Sequence, residues 1–229
     1  MSISGEEKLR GKIEKYVKWE NYVHRGDTAL LVIDMQNDVI KKEGNLSAWG
    51  IWKHAQETGV VNNIKSVVLA CRAAGIPIFW IRQYRLAGGQ DLFPGTFDGA
   101  RLASCRENFP EFQLQGSWEV EIVDELKEVM DDKDIPVEKA GSSSFEGTNL
   151  QRYLVQLGVK NILLCGCITS VCVEATGRSG RDRGYMPIMI GDACAARSEE
   201  EQKSTLERFA WILGHVVTSA QLIKLLKRL

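Results

Sequence analysis

The stretch Asn161-Ile162-Leu163-Leu164-Cys165-Gly166-Cys167-Ile168-Thr169-Ser170-Val171-Cys172-Val173-Glu174 decides the fold. From Asn161 to Cys165 it reads as an apolar run of strand length, the pattern of a parallel strand covered on both faces. From about Ser170 to Arg183 it reads as a helix. Cys172 therefore falls at a strand-to-helix junction, where backbone N–H groups point outward and the helix dipole favours negative charge. Such surroundings suit a thiolate nucleophile.

Outward from this unit the same alternation repeats. Upstream, Ala29–Ile33 predicts a first strand ending at Asp34, and Val60–Ala74 a helix closed by Gly75. Ile76–Ile81 predicts a second strand ending at Arg82. Residues 83–117 read mostly as loop, long enough to suggest a lid or substrate loop. Trp118–Met130 reads as a helix, Ile135–Val137 as a short strand leading to Lys139, and Gly147–Leu157 as a helix stopped by Gly158. Downstream come a strand at Met186–Ile190, a helix at about 198–213 ended by Gly214, a strand at His215–Val217 and a last helix N-capped by Thr218. Before all of these, Leu9, Ile13, Tyr16 and Val17 give Glu6–Tyr22 a helical apolar face. The whole reads as one domain over 1–229, with residues 1–25 as an N-terminal helical extension. Strand and helix in alternation imply an α/β fold of three layers, α/β/α, around a parallel sheet. Sheets of that kind bind ligands outside the carboxyl ends of their strands.

Composition narrows the function classes. The chain has 229 residues, 44% hydrophobic and 26% charged, with a net charge of −1. That balance gives no electrostatic footprint for nucleic acid or an anionic membrane. No run approaches the roughly 20 apolar residues of a spanning helix, and Met1–His24 lacks the apolar centre of a signal peptide. A cytoplasmic protein is expected. Of the six cysteines, most lie in apolar runs where a reduced core thiol is the ordinary outcome. Cys165 and Cys167 are spaced as C-x-C, which alternates across a strand rather than converging on a metal. The three histidines form no zinc-binding spacing, and no metal or cofactor is expected.

Three chemically capable side chains stand at or just past strand ends: Asp34, Lys139 and Cys172. An ordinary thiol is only slightly ionised at neutral pH. Asp34 can take its proton, Lys139 can stabilise the anions, and the backbone N–H groups at Ile168 and Cys172 can form an oxyanion hole. No histidine is required. Residues near strand ends or in the long loop supply substrate-binding candidates: Gln36, Arg82, Gln83, Tyr84, Trp118 and Phe145. Arg82 suits a carboxylate, and Trp118 and Phe145 suit apolar walls.

The segments Ala29–Gln36 (ALLVIDMQ), Lys139–Leu150 (KAGSSSFEGTNL) and Gly166–Thr176 (GCITSVCVEAT) resemble, in order and spacing, the three signature blocks of the isochorismatase-like cysteine hydrolases. Asp192-Ala193 also matches. The resemblance extends from about Thr28 to Val217. It implies a six-stranded parallel sheet of order 3-2-1-4-5-6, Asp34 as base, Lys139 as its partner, Cys172 as nucleophile and a cis peptide between Cys167 and Ile168. It further implies a homodimer or homotetramer. The chain departs from nicotinamidases in lacking their Asp-x-His site after the first strand. It departs from isochorismatases proper in having Cys172, and Ser170 stands where an Asp is common. The resemblance thus implies an amidohydrolase for a small linear amide, with carbamoyl or ureido compounds favoured. The alternatives are a nicotinamidase-like branch, a non-catalytic binding protein on this fold and a nucleotide binder. The last of these lacks a Gly-rich phosphate loop after the first strand.

Overall fold

The computed structural model describes residues 17–91, 95–108 and 112–229. The N-terminal helix expected over Glu6–Tyr22 lies outside the described residues up to position 16; its end, Trp19–Tyr22, is a single 3-10 turn. The apolar runs do become strands. β1 (Thr28–Ile33) and β4 (Asn161–Cys167) are buried along their whole lengths. Both are sandwiched between helices, so neither shows a polar alternate face. With β2 (Ile78–Gln83), β3 (Ile135–Lys139), β5 (Met186–Ala195) and β6 (His215–Val217) they form one six-stranded sheet of order β3-β2-β1-β4-β5-β6. Every pairing is parallel. The order reverses between β1 and β4, and that reversal opens a crevice at their carboxyl ends.

Helices cover both faces. After β1 come the short α1 (Asn37–Ile40), α2 (Ile51–Glu57) and α3 (Val60–Ala73). α3 crosses from β1 to β2 and packs beside the C-terminal α9 (Ser219–Leu226). A capping box fixes the start of α9, with the Thr218 side chain accepting from Gln221 N and the Gln221 side chain from Thr218 N. The opposite layer includes α7 (Glu174–Asp182) and α8 (Glu199–Ile212), the crossovers that follow β4 and β5. Gly177 lets α7 approach closely: a Cβ there would lie 2.5 Å from the Phe209 ring of α8 and 3.0 Å from Leu164 of β4. Between these come α4 (Phe97–Asn108), α5 (Asp124–Lys127) and α6 (Leu150–Gln156). Among the described residues no helix is long and apolar enough to cross a membrane.

Three expectations about elements need correction. Residues 83–117 are not loop throughout, since α4 occupies Phe97–Asn108. Trp118–Met130 is not one helix but a 3-10 turn at Trp118–Val120, an extended link and α5. The link is claimed by the β1–α1 connection: Ile122 bridges Gln36 antiparallel, Asn37 N donates to Glu121 O (3.0 Å), and Val123 N donates to Met35 O (3.0 Å). The second strand runs two residues later than expected, because Ile76 N closes the end of α3 on Cys71 O (2.9 Å) and Gly75 makes the left-handed stop.

Candidate active site

Asp34 follows β1 directly and adopts a left-handed conformation (φ 51°), uncommon outside glycine but tolerated by aspartate. Its N–H donates to Ile81 O of β2 (2.9 Å), so the turn is held by the sheet itself. Lys139 is the last residue of β3 and pairs in register with Gln83 of β2. Cys172 lies in a single π-helical turn, Thr169–Val173, between β4 and α7. That turn is pinned from several sides. Thr169 Oγ1 donates to Gln202 Oε1 (2.6 Å), and Gln202 Nε2 donates to Gly191 O (2.9 Å) and Cys194 O (3.1 Å). Thr176 Oγ1 donates to Cys172 O (2.7 Å) and accepts from Ser144 N (3.0 Å). The Cys167–Ile168 peptide is cis. Gly166, just before it, has φ 118° and sits so close to β1 that a Cβ would fall 2.0 Å from Ile33 O.

The three side chains expected from the strand ends come together. Lys139 Nζ lies 2.8 Å from Asp34 Oδ2 and donates to Gln83 Oε1 (2.9 Å) and Gly141 O (3.0 Å). Three oxygens thus use the three protons of the ammonium, and Cys172 Sγ stands next to it at 3.5 Å. Gln83 Oε1 is also 3.8 Å from Cys172 Sγ. All three groups are buried. Burial pushes the Cys172 thiol up to about 12; Lys139 works against that and Asp34 adds to it. Burial also raises the Asp34 carboxyl above its ordinary value, with Lys139 opposing. Lys139 is lowered by burial but raised by more through Asp34 and Cys172, so its ammonium is retained. The group is thus a thiol beside a close carboxyl–ammonium pair.

A cavity of about 250 Å³ opens onto Asp34, Cys172 and Ile168, and its walls include Val39, Leu46, Trp49, Gln83, Arg85, Arg101, Gln113 and Ser142. Gln36 lines it too, but its amide is committed to the backbone: Nε2 donates to Gln83 O (2.8 Å) and Val120 O (3.1 Å), while Oε1 accepts from Gln83 N (2.7 Å). Gln36 therefore sets the position of Gln83. The other substrate-binding candidates lie elsewhere. Arg82 pairs with Glu138 (2.7 Å) and, with Tyr84, lines a separate surface depression. Trp118 is about half exposed and does not line the cavity; its carbonyl accepts from Asn37 Nδ2 (2.9 Å). Phe145 packs on Tyr185, with ring centroids 5.6 Å apart, beneath α7. Asp192 holds α9, its Oδ1 accepting from Ser219 N and its Oδ2 from Ser219 Oγ, both at 2.7 Å.

Sequence reasoning missed Arg85, Arg101, Gln113 and Trp49. For Arg85 a signal existed: Gln83 and Arg85 share one face of the extended chain, Arg82 and Tyr84 the other. Among the described residues no three His, Cys, Asp or Glu side chains converge as a metal site requires. All six cysteines are free; Cys71, Cys165, Cys167 and Cys194 are buried, and burial raises each of their thiols.

The chain is similar to known proteins. The isochorismatase domain model matches residues 28–221. Over 205 residues the chain is 36% identical to ureidoacrylate amidohydrolase RutB of Enterobacter sp. (strain 638), a match covering 84% of this chain and 86% of that protein. A crystal structure of a cysteine hydrolase from Pseudomonas syringae pv. phaseolicola 1448A superposes with a TM-score of 0.80 at 27% identity, covering 93% of this chain and 97% of that one. N-carbamoylsarcosine amidase from Thermoplasma acidophilum gives a TM-score of 0.65 at 25% identity, covering 84% and 96%. With a family match over most of its length, and the strand order and crevice described above, the chain belongs to the isochorismatase family.

Proposed function

We propose that this protein is a cysteine-dependent amidohydrolase that cleaves the C–N bond of a small linear amide, with carbamoyl and ureido compounds as the favoured class. The observation that carries the reading is the buried cluster at the crevice: Asp34 Oδ2 at 2.8 Å and Cys172 Sγ at 3.5 Å from one Lys139 ammonium, opening on a small cavity. The ureidoacrylate amidohydrolase relative supports the C–N bond as the target.

In this reading Asp34, raised by burial, takes the Cys172 proton as the substrate carbonyl approaches. Its Oδ1, buried with no hydrogen-bond partner among the described residues, is the acceptor. The sulfur attacks the carbonyl carbon, and the oxyanion is received by the N–H groups of Ile168 and Cys172. Asp34 then gives its proton to the leaving nitrogen as the C–N bond breaks, which leaves a thioester or thiocarbamate on Cys172. Water, deprotonated by Asp34, attacks that carbonyl; the C–S bond breaks and the thiol regains its proton. Lys139 keeps its charge throughout and offsets the anionic carboxylate or sulfur. The test is ammonia release across N-carbamoyl amino acids, ureidoacrylate, biuret and nicotinamide, with Cys172→Ser as the blank. Turnover of a carbamoyl or ureido compound that is absent from the blank supports the reading. Preferential turnover of nicotinamide would replace the substrate class.

A further inference from the structure

The ammonium of Lys139 is placed by more than Asp34 and Cys172. One of its acceptors is Gln83 Oε1 (2.9 Å). With that oxygen turned to the ammonium, the Gln83 amide presents Nε2 to Gln113 Oε1 (3.5 Å). Gln113 in turn gives its own Nε2 to Asp38 Oδ2 (3.0 Å). Each amide accepts on one side and donates on the other, so the polarity of every link follows from the one before it. The row starts at a fixed cation and ends on a carboxyl oxygen. Gln113, buried in the cavity wall, is its pivot. Its N–H donates to Glu119 Oε2 (3.0 Å), its carbonyl accepts from Arg85 N (2.7 Å), and its φ is 51°. A side-chain-bearing residue keeps such a φ where its surroundings enforce it.

Asp38, the second residue of α1, is fully buried. Among the described residues its Oδ1 has no hydrogen-bond partner and no cation pairs with it. Facing it are Gln113 and Glu119 from the β2–β3 connection, Asp34 from the end of β1 and the Val39 N–H of its own helix. Two of these four are acidic side chains. A buried anion with one neutral amide and two acidic neighbours is heavily penalised, so Asp38 keeps its proton well above the usual carboxylate range, burial being the largest cause. That proton leaves Asp34 as the carboxylate opposite Lys139. Ionising Asp38 would set a second negative charge beside Asp34 and favour a proton on Asp34, which could then no longer take the one from Cys172. It would also draw the Gln113 amide toward the new charge and away from Gln83.

We propose that Asp38 is a positioning residue for the reaction at Cys172: protonated, it anchors Gln113 and Gln83 so that the Lys139 ammonium stays on Asp34, and its ionisation switches the site off. What is switched rests on the amidohydrolase reading; the coupling of Asp38 to Lys139 is measurable without turnover. Asp38 touches neither the thiol nor the cavity, and acts through the two glutamines and through its charge on Asp34.

The test uses the full-length protein and whichever amide the ammonia-release panel shows to be turned over. Asp38→Ala is expected to lower kcat by about tenfold or more with KM changed by less than about threefold, and Asp38→Asn, which keeps a neutral oxygen for Gln113, to restore most of it. The unmodified protein is expected to lose kcat as pH rises through about 8, and Asp38→Asn to hold its kcat to about pH 9. Gln113→Leu, checked for folding by its thermal melt, should lower kcat as Asp38→Ala does. Should Asp38→Ala not fold, the pH profile of Asp38→Asn decides alone. The same alkaline midpoint in Asp38→Asn as in the unmodified protein, or full kcat in Asp38→Ala, would overturn the proposal. NMR of the isotope-labelled Lys139 ammonium nitrogen separates it from the parent reading. Its resonance is expected to shift with a midpoint of about 8 in the unmodified protein and to show no such shift in Asp38→Asn. That result in a protein that turns over none of the amides sinks the amidohydrolase reading and leaves the coupling standing. Turnover with a Lys139 signal that is blind to Asp38→Asn sinks the coupling and leaves the hydrolase standing.

Discussion

At the scale of single residues, the chemistry turns on where one proton sits. The free protein holds Cys172 as a neutral thiol, because burial outweighs the attraction of Lys139 and pushes the group up to about 12. A raised thiol pKa leaves the thiolate scarce at neutral pH and makes it grow as pH rises. Alkylation of Cys172 by iodoacetamide is therefore expected to be slow at pH 7 and to quicken by about tenfold per pH unit up to the alkaline limit of folding. Peptide mapping of the modified cysteine against pH checks this; a plateau below pH 8 would mean a resting thiolate. Such a poise suits an enzyme in which substrate must be in place before Asp34 draws the proton away. It also separates Cys172 from the four other buried thiols: among the described residues these have no lysine or carboxylate hydrogen bond, whereas Cys172 has Lys139 Nζ at 3.5 Å.

At the scale of elements, the site depends on strand ends that are fixed by close backbone approach. Gly166→Ala would place a methyl 2.0 Å from Ile33 O, a main-chain atom of the neighbouring strand that cannot swing aside. Its positive φ compounds the clash. The expected result is a loss above about 3 kcal/mol and little soluble protein, read by expression yield and melting temperature. The β1–α1 connection carries a second, titratable constraint. Asp38 is buried, its Oδ2 accepting from Gln113 Nε2 (3.0 Å), and its carboxyl is raised to about 8, chiefly by burial, with Glu119 and Asp34 adding. Between its ordinary value of 3.8 and about 8 the folded chain keeps a proton that the unfolded chain has released. Stability from this group is thus complete below the lower value and is lost as pH rises through the upper one. Asp38→Asn removes the titration. Its melting temperature is expected to fall less than that of the unmodified protein between pH 6 and pH 9, by about 2–4 °C for each ~1 kcal/mol recovered. Parallel declines in both proteins would place the pH dependence elsewhere.

How much of this was legible in the chain follows the same divide. The unbroken apolar runs of β1 and β4 announce buried parallel strands, and the reactive residue types at their ends mark the crevice in the sequence itself. What escaped was set by tertiary context. The helix at Phe97–Asn108 buries Leu102 but exposes Phe97 and contains Gly99, so its apolar rhythm is too weak to read. The stretch after Trp118 has helical composition but is held extended by hydrogen bonds from residues 35–37. The bounds of β2 depended on Ile76 being used to close α3 rather than to start a strand. The strand therefore ends at Gln83, which lines the cavity, and not at the residue before Arg82.

At the scale of the whole molecule, a six-stranded sheet brings Asp34, Lys139 and Cys172 from three strands to one edge, and the loop and helix between β2 and β3 add Arg85 and Arg101 over it. The sequence distance between these groups is large, so the site exists only when the sheet is complete. Activity and cooperative unfolding should therefore be lost together. The central claim is that Cys172 becomes covalently bonded to the substrate carbonyl during turnover. The most direct measurement is acid-quenched, millisecond-to-second mixing with N-carbamoyl-β-alanine or another turned-over amide, followed by intact-mass and peptide analysis. A transient acyl or carbamoyl adduct on the peptide bearing Cys172, formed and discharged at rates compatible with kcat and absent in Cys172→Ala, is the predicted result. Turnover that persists in Cys172→Ala with no adduct on any cysteine would contradict it.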